Sequence, residues 1–186
     1  MTEKQGGTDV RANTTTATPG DAGGYVLRGH KWFFSAPMSD AFLVLAQAPG
    51  GLTCLLMPRR LPDGTRNAIR ILQLKDKLGN HSNASSEVEY DETVGWLVGE
   101  PGRGLACMFT MMNEARLGVG LQGYACAVPA YQNAVAYARE RLQGRALDGT
   151  RAPDQPADPI LVHPDIRRSL MDQKSFLEGA RMLVLW

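Results

Sequence analysis

The sequence predicts an α+β protein, an antiparallel β-sandwich or barrel followed by long helices, and two observations carry that reading. Up to about Gly99, short apolar runs of β type alternate with turn residues; after Pro101-Gly102, apolar residues recur at helical spacing. The size agrees, since 186 residues of which 44% are hydrophobic suffice for a buried core in one domain or two small ones.

The first ten residues hold hydroxyls, charges and the pair Gly6-Gly7, with almost no apolar side chain. That composition predicts a binding loop, because paired glycines let a ligand approach the backbone while Thr2 and Thr8 offer hydrogen bonds. A disordered polar terminus is the plainer alternative. A binding loop needs a scaffold before it, so Met1 is read as an internal methionine and the chain as a piece of a longer protein. Strand-like runs follow at 12–18, 24–35, 42–48, 52–58, 68–74, 87–90 and 94–98. Pro19-Gly20-Asp21, Pro49-Gly50-Gly51, Pro62-Asp63-Gly64 and Gly79-Asn80 fall between them and supply turn geometry. Leu105, Met108, Met112, Ala115 and Val119, then Tyr131, Val135, Ala138 and Leu142, predict one long helix bent or broken at Pro129. The stretch 146–159 carries three prolines and reads as a loop. After His163-Pro164-Asp165, the spacing of Ile166, Leu170, Gln173, Leu177, Ala180 and Val184 on one face predicts a last helix. It reaches Trp186 without a capping signal, so this end also reads as cut.

Twenty basic and nineteen acidic residues leave a net charge of +1, so no whole-chain field draws in nucleic acid or an anionic membrane. No apolar run reaches the roughly 18 residues of a membrane span. Cys54, Cys107 and Cys126 are odd in number, lack metal or redox spacing, and read as buried thiols of a reducing, cytoplasmic compartment. Only three histidines exist, and none has a ligand or triad partner nearby in sequence. Gly118-Val119-Gly120-Leu121-Gln122-Gly123 matches the dinucleotide fingerprint, but it follows a helical stretch where that fingerprint needs a strand, so small residues within a helix are the better reading. The remaining candidate is Lys31-Trp32-Phe33-Phe34-Ser35. Strand alternation sends Trp32 and Phe34 to one face and Phe33 with Ser35 to the other, an aromatic and a hydroxyl that suit a flat cofactor. A core strand with an incidental serine is the competing reading.

Five motifs in order resemble the acyl-CoA dehydrogenase family, over essentially the whole chain. Met1-Thr2-Glu3 with Gly7-Thr8-Asp9 resembles the family's Thr-Glu-Pro…Gly-Ser-Asp loop. Lys31 to Ser35 resembles its Lys-x-Trp-Ile-Thr strand, and Lys77-Leu78-Gly79 with Ser82 and Ser85 its Lys-Leu-Gly…Ser-x-Thr turn. Asn113-Glu114-Ala115-Arg116 resembles the start of its C-terminal domain, and Arg139 to Gly144 its Arg-x-Gln-Phe-Gly signature without the phenylalanine. Both AidB-like and methylmercaptopropionyl-CoA dehydrogenase-like branches are echoed.

The resemblance implies a middle β-domain at 1–100 and, at 101–186, the first antiparallel helices of an incomplete four-helix bundle. It implies FAD held by Thr2, Gly7, Thr8, Asp9, Phe33 and Ser35, with Arg141 and Gln143 reaching a neighbouring subunit's cofactor in a dimer or tetramer. Thr8 and Arg116 would contact acyl-CoA, and an electron-accepting flavoprotein would be the partner. The implied reaction removes the α-proton of a thioester as hydride leaves the β-carbon for flavin N5. The usual glutamate base would lie beyond Trp186; the position used in some members is Ala115 here, and Glu114 is about a quarter turn away. The chain alone is therefore expected not to turn over. The alternative is an alkylation-response flavoprotein that binds duplex DNA through regions absent here.

Overall fold

Six strands form where apolar runs meet turn residues: β1 (Thr16–Pro19), β2 (Tyr25–Phe34), β3 (Ala41–Ala48), β4 (Gly51–Pro58), β5 (Ile69–Leu74) and β6 (Ser86–Leu97). The computed structural model describes all 186 residues except the side chain of Ala22. The chain divides into two units, Met1–Met112 and Asn113–Trp186.

The strands are ordered β2-β1-β3-β4-β6-β5, and β2 also pairs with β6, so the sheet closes on itself with β5 as an outer strand. All pairings are antiparallel except β1 with β3. Two expected runs, 87–90 and 94–98, are one strand. Leu27 pairs with Thr93 and Gly29 with Tyr90, so Arg28 faces both Asp91 and Glu92 in a bulge. Glu92 takes a left-handed φ of 61° there, and its carboxylate pairs with Arg28. The expected run at 12–18 is shorter than the pattern suggested: Val10–Ala12 form a 3-10 turn, and Asp9 caps it by accepting from the Arg11 N–H.

Alternation on β3 explains why its sequence reads as continuously apolar. Phe42, Val44 and Ala46 point into the barrel with Ala17, Leu27, Leu55, Met57, Val88 and Tyr90. Leu45 points the other way, against Cys54 and Met108, with Leu43 packed alongside. Both faces are covered, so both are apolar. Burial, and then neighbouring Cys107, pushes the Cys54 thiol up to about 11. Cys126 is exposed, unlike the buried thiol expected of it.

Inside the barrel the Tyr90 hydroxyl is buried without a hydrogen-bond partner among the described residues. Burial, and then the charge of Glu3, raises its pKa far above that of a free tyrosine. An orphaned buried hydroxyl costs about 1–3 kcal/mol, so Tyr90→Phe is expected to stabilise the protein by about 1 kcal/mol. Urea denaturation checks this; a destabilised variant would show that the hydroxyl has a partner.

Helix α1 (Gly104–Glu140) passes through Pro129 unbroken, and α2 (Pro164–Leu185) has proline in its first turn, where the missing N–H is harmless. Within the second unit the two run antiparallel. His163, before α2, bonds the Gln143 carbonyl at 2.7 Å, and Arg181 near the end of α2 donates to the Tyr124 hydroxyl at 2.5 Å. The loop between them is built on Asp158, which is fully buried. Its carboxylate accepts from the backbone N–H groups of Ala146, Arg151 and Ala152 and from Arg145. Gly118, Gly120 and Gly123 lie inside α1, so the strand–loop–helix context of a phosphate fingerprint is absent there.

Candidate functional site

Lys31 falls on the same face of β2 as Leu27, the face that points into the barrel, and is 1% exposed. A buried ammonium requires partners. Its Nζ donates to Glu3 Oε1 at 2.6 Å and to the Leu45 carbonyl at 2.8 Å. Glu3, equally buried, also accepts from the Thr14 N–H and hydroxyl at 2.6 and 2.9 Å, and from the Thr15 N–H and hydroxyl at 3.1 and 2.6 Å. Burial pushes the Glu3 carboxyl up, but the bonds from Lys31, Thr15 and Thr14 outweigh it and hold it well below the ordinary carboxylate range. Burial lowers the Lys31 pKa, and Glu3 opposes that shift. The polar first segment is thus anchored to the barrel by a buried ion pair.

Past Lys31 the register of β2 with β6 breaks until Phe34, and the Trp32 N–H donates to the Thr2 carbonyl at 2.9 Å. This irregularity undoes the simple alternation expected of the segment. Trp32 turns to the outside, where the Lys75 ammonium lies 3.1 Å from its ring centroid. Beside it Glu87 accepts from His30 at 2.5 Å and Gln73 at 2.6 Å. Burial raises the Glu87 pKa, but Gln73, His30 and Lys75 together hold it near 2. Phe34 packs on Phe42, ring centroids 4.7 Å apart. Phe33 is 49% exposed and Ser35 is also exposed, so neither is a core residue.

Phe33, Phe34 and Ser35 line one cleft of about 460 Å³ together with Met1, Phe42 and Leu43, and the first turns of α1 add Met108, Met111 and Met112. The start of the polar loop and the Lys-aromatic-Ser strand therefore meet at one apolar hollow with a hydroxyl on its lining. Gly7 packs against Thr2, leaving no room for a side chain, and Thr8 and Asp9 follow, exposed. Arg116, Arg141 and Gln143 belong to the second unit. Arg116 lies on α1. The backbone of Arg141 and Gln143 is fixed by bonds to Ile160, Asp158 and His163, with both side chains exposed. Lys77 closes its own turn, donating to the carbonyls of Asn80 and Asn83 and to the Ser85 hydroxyl. Sequence reasoning placed Glu3 and Lys31 in separate motifs without pairing them, and it missed the methionine wall. A lysine at an inward strand position was a signal for the pair.

The model of the acyl-CoA dehydrogenase middle domain matches residues 1–93. The chain belongs to the acyl-CoA dehydrogenase family. It is 53% identical to AidB of Escherichia coli (strain K12), named as an acyl-CoA dehydrogenase, over 99% of this chain and 32% of that one. It is 39% identical to 3-methylmercaptopropionyl-CoA dehydrogenase of Ruegeria pomeroyi, over 100% of this chain and 34% of that one. The structure of butyryl-CoA dehydrogenase from Megasphaera elsdenii superposes with a TM-score of 0.77 at 26% identity, covering 99% of this chain and 46% of that one. The chain spans about a third of the length of these curated acyl-CoA dehydrogenase relatives.

Proposed function

We propose that the protein is an FAD-dependent acyl-CoA dehydrogenase and that this chain supplies the wall of the flavin site. The observation that carries the reading is the cleft where Met1, Phe33 and Ser35 meet. Its lining fits an isoalloxazine ring: aromatic rings and methionines offer apolar, adaptable contact, and a hydroxyl can meet a polar ring edge. When bound, FAD accepts the hydride that leaves the β-carbon of the acyl thioester while a base takes the α-proton.

Within this reading Phe33 and Ser35 flank the ring, while Thr2, Gly7, Thr8 and Asp9 supply backbone and hydroxyl contacts. Thr8 contacts the acyl thioester, Arg116 serves the CoA arm, and Arg141 with Gln143 serve a neighbouring subunit's site in a dimer or tetramer. The methionines exclude water, which strengthens every polar contact made in the cleft. The base comes from outside this chain, because Ala115 carries no acid. A cytoplasmic location and an electron-accepting flavoprotein partner complete the proposal.

Anaerobic addition of acyl-CoA thioesters of graded chain length to the yellow full-length protein tests it. The flavin absorbance is expected to bleach with at least one of them. A flavin that stays oxidised with all of them overturns the reading. Ser35→Ala is expected to slow the bleaching about five- to tenfold, the worth of one hydrogen bond.

A further inference from the structure

We infer that Glu3 and Lys31 are the positioning pair that sets Phe33 and Ser35 in the cleft, a role that rests on the flavin reading above. Neither residue lines the cleft, and both are almost fully buried, so they act through their neighbours. Glu3 binds two other segments at once, Thr14 and Thr15 before β1 and β2 through Lys31, and Lys31 extends the tie to β3 at Leu45.

The residue adjoining each partner makes the second link. Thr2 adjoins Glu3 and Trp32 adjoins Lys31, and the Trp32 N–H donates to the Thr2 carbonyl. That N–H lies where β2 has left its register with β6, between Lys31 and Phe34. The loop therefore holds the irregular stretch that β6 releases; Phe33 lies within that stretch, Ser35 two residues on just past the end of β2, and both line the cleft. A slip of the loop would carry the bulge with it.

A well-packed apolar pair generally stabilises a core as well as a buried ion pair does. What the charged pair adds here is direction, since ammonium and carboxylate satisfy their bonds in only one register of loop against strand. The doubly neutral variant Glu3→Gln/Lys31→Met separates the two roles, because it leaves no unpaired buried charge, whereas either single substitution strands one.

Three readouts on the full-length protein decide the matter. The double variant is expected to unfold cooperatively a few degrees below the parent, because its amide offers one oxygen and an NH₂ group to the Thr14 and Thr15 donors. Its dissociation constant for FAD is expected to rise at least tenfold, with a shifted visible absorption band of the bound flavin. Hydrogen exchange at the Trp32 amide is expected to quicken at least tenfold in both the FAD-loaded and FAD-free forms. A folded double variant with unchanged Trp32 exchange and unchanged FAD affinity overturns the inference. If the parent takes up no FAD, the cofactor reading falls, and Trp32 exchange in the FAD-free protein still decides whether the pair holds the loop.

Discussion

Gly104→Ala is expected to lower stability by about 2–3 kcal/mol, although alanine is the better helix former by about 1 kcal/mol. Gly104 is the first residue of α1 and is buried against β4. A Cβ placed there would lie 2.4 Å from the Cys54 nitrogen, 2.4 Å from the Thr53 carbonyl carbon and 2.7 Å from Thr53 Cα. These are backbone atoms of a paired strand, so no rotamer change relieves the overlap, and the helix start has to move. Movement breaks the contact of Met108 with Leu45 and Cys54, and the bond from the Gly102 N–H to the Thr53 hydroxyl at 3.0 Å. It also displaces Met108, Met111 and Met112 from the cleft, so FAD uptake falls with stability. The two effects on stability have opposite signs, which makes urea denaturation decisive: a variant more stable than the parent would mean that helix propensity wins and the junction is loose.

The barrel was legible because its turns are marked by proline and glycine and its strands by short apolar runs. The helices were legible from their spacing, although Pro129 failed to break α1. Local patterns failed where a distant contact decides the outcome. The expected runs 87–90 and 94–98 are one strand, because pairing with β2 carries β6 through Asp91-Glu92 as a bulge. Alternation misassigned Phe34 because the strand between Lys31 and Phe34 follows the N-terminal loop instead of its sheet neighbour. The partnership of Glu3 with Lys31 joins residues far apart in sequence, which no short window contains. In the site, the candidates Phe33 and Ser35 lie together on the cleft, while the residues that orient them carried no motif of their own beyond the family resemblance.

Acidification is expected to unfold the protein between about pH 4.5 and about pH 2, with Asp158 controlling the second unit. The ordinary values are 4.5 for Glu3 and Glu87 and 3.8 for Asp158. In the fold Glu3 lies well below its value, and Glu87 and Asp158 are held near 2. For Asp158, burial pushes upward, but the N–H groups of Ala146, Ala152 and Arg151, with Arg145, outweigh it. A depressed folded pKa means that the unfolded chain binds more protons as the pH falls. The stabilisation is therefore complete above the ordinary value and is lost as the pH drops through the folded one. Asp158→Asn should reproduce much of that loss at neutral pH, because one amide oxygen replaces two carboxylate oxygens and the NH₂ group faces donors at 2.7–3.2 Å. Its helical signal is expected to melt roughly 5 °C or more below the parent at pH 7 and to change less between pH 7 and pH 3. A variant whose melting point and acid profile match the parent would show that the loop between α1 and α2 is held by something other than this carboxylate.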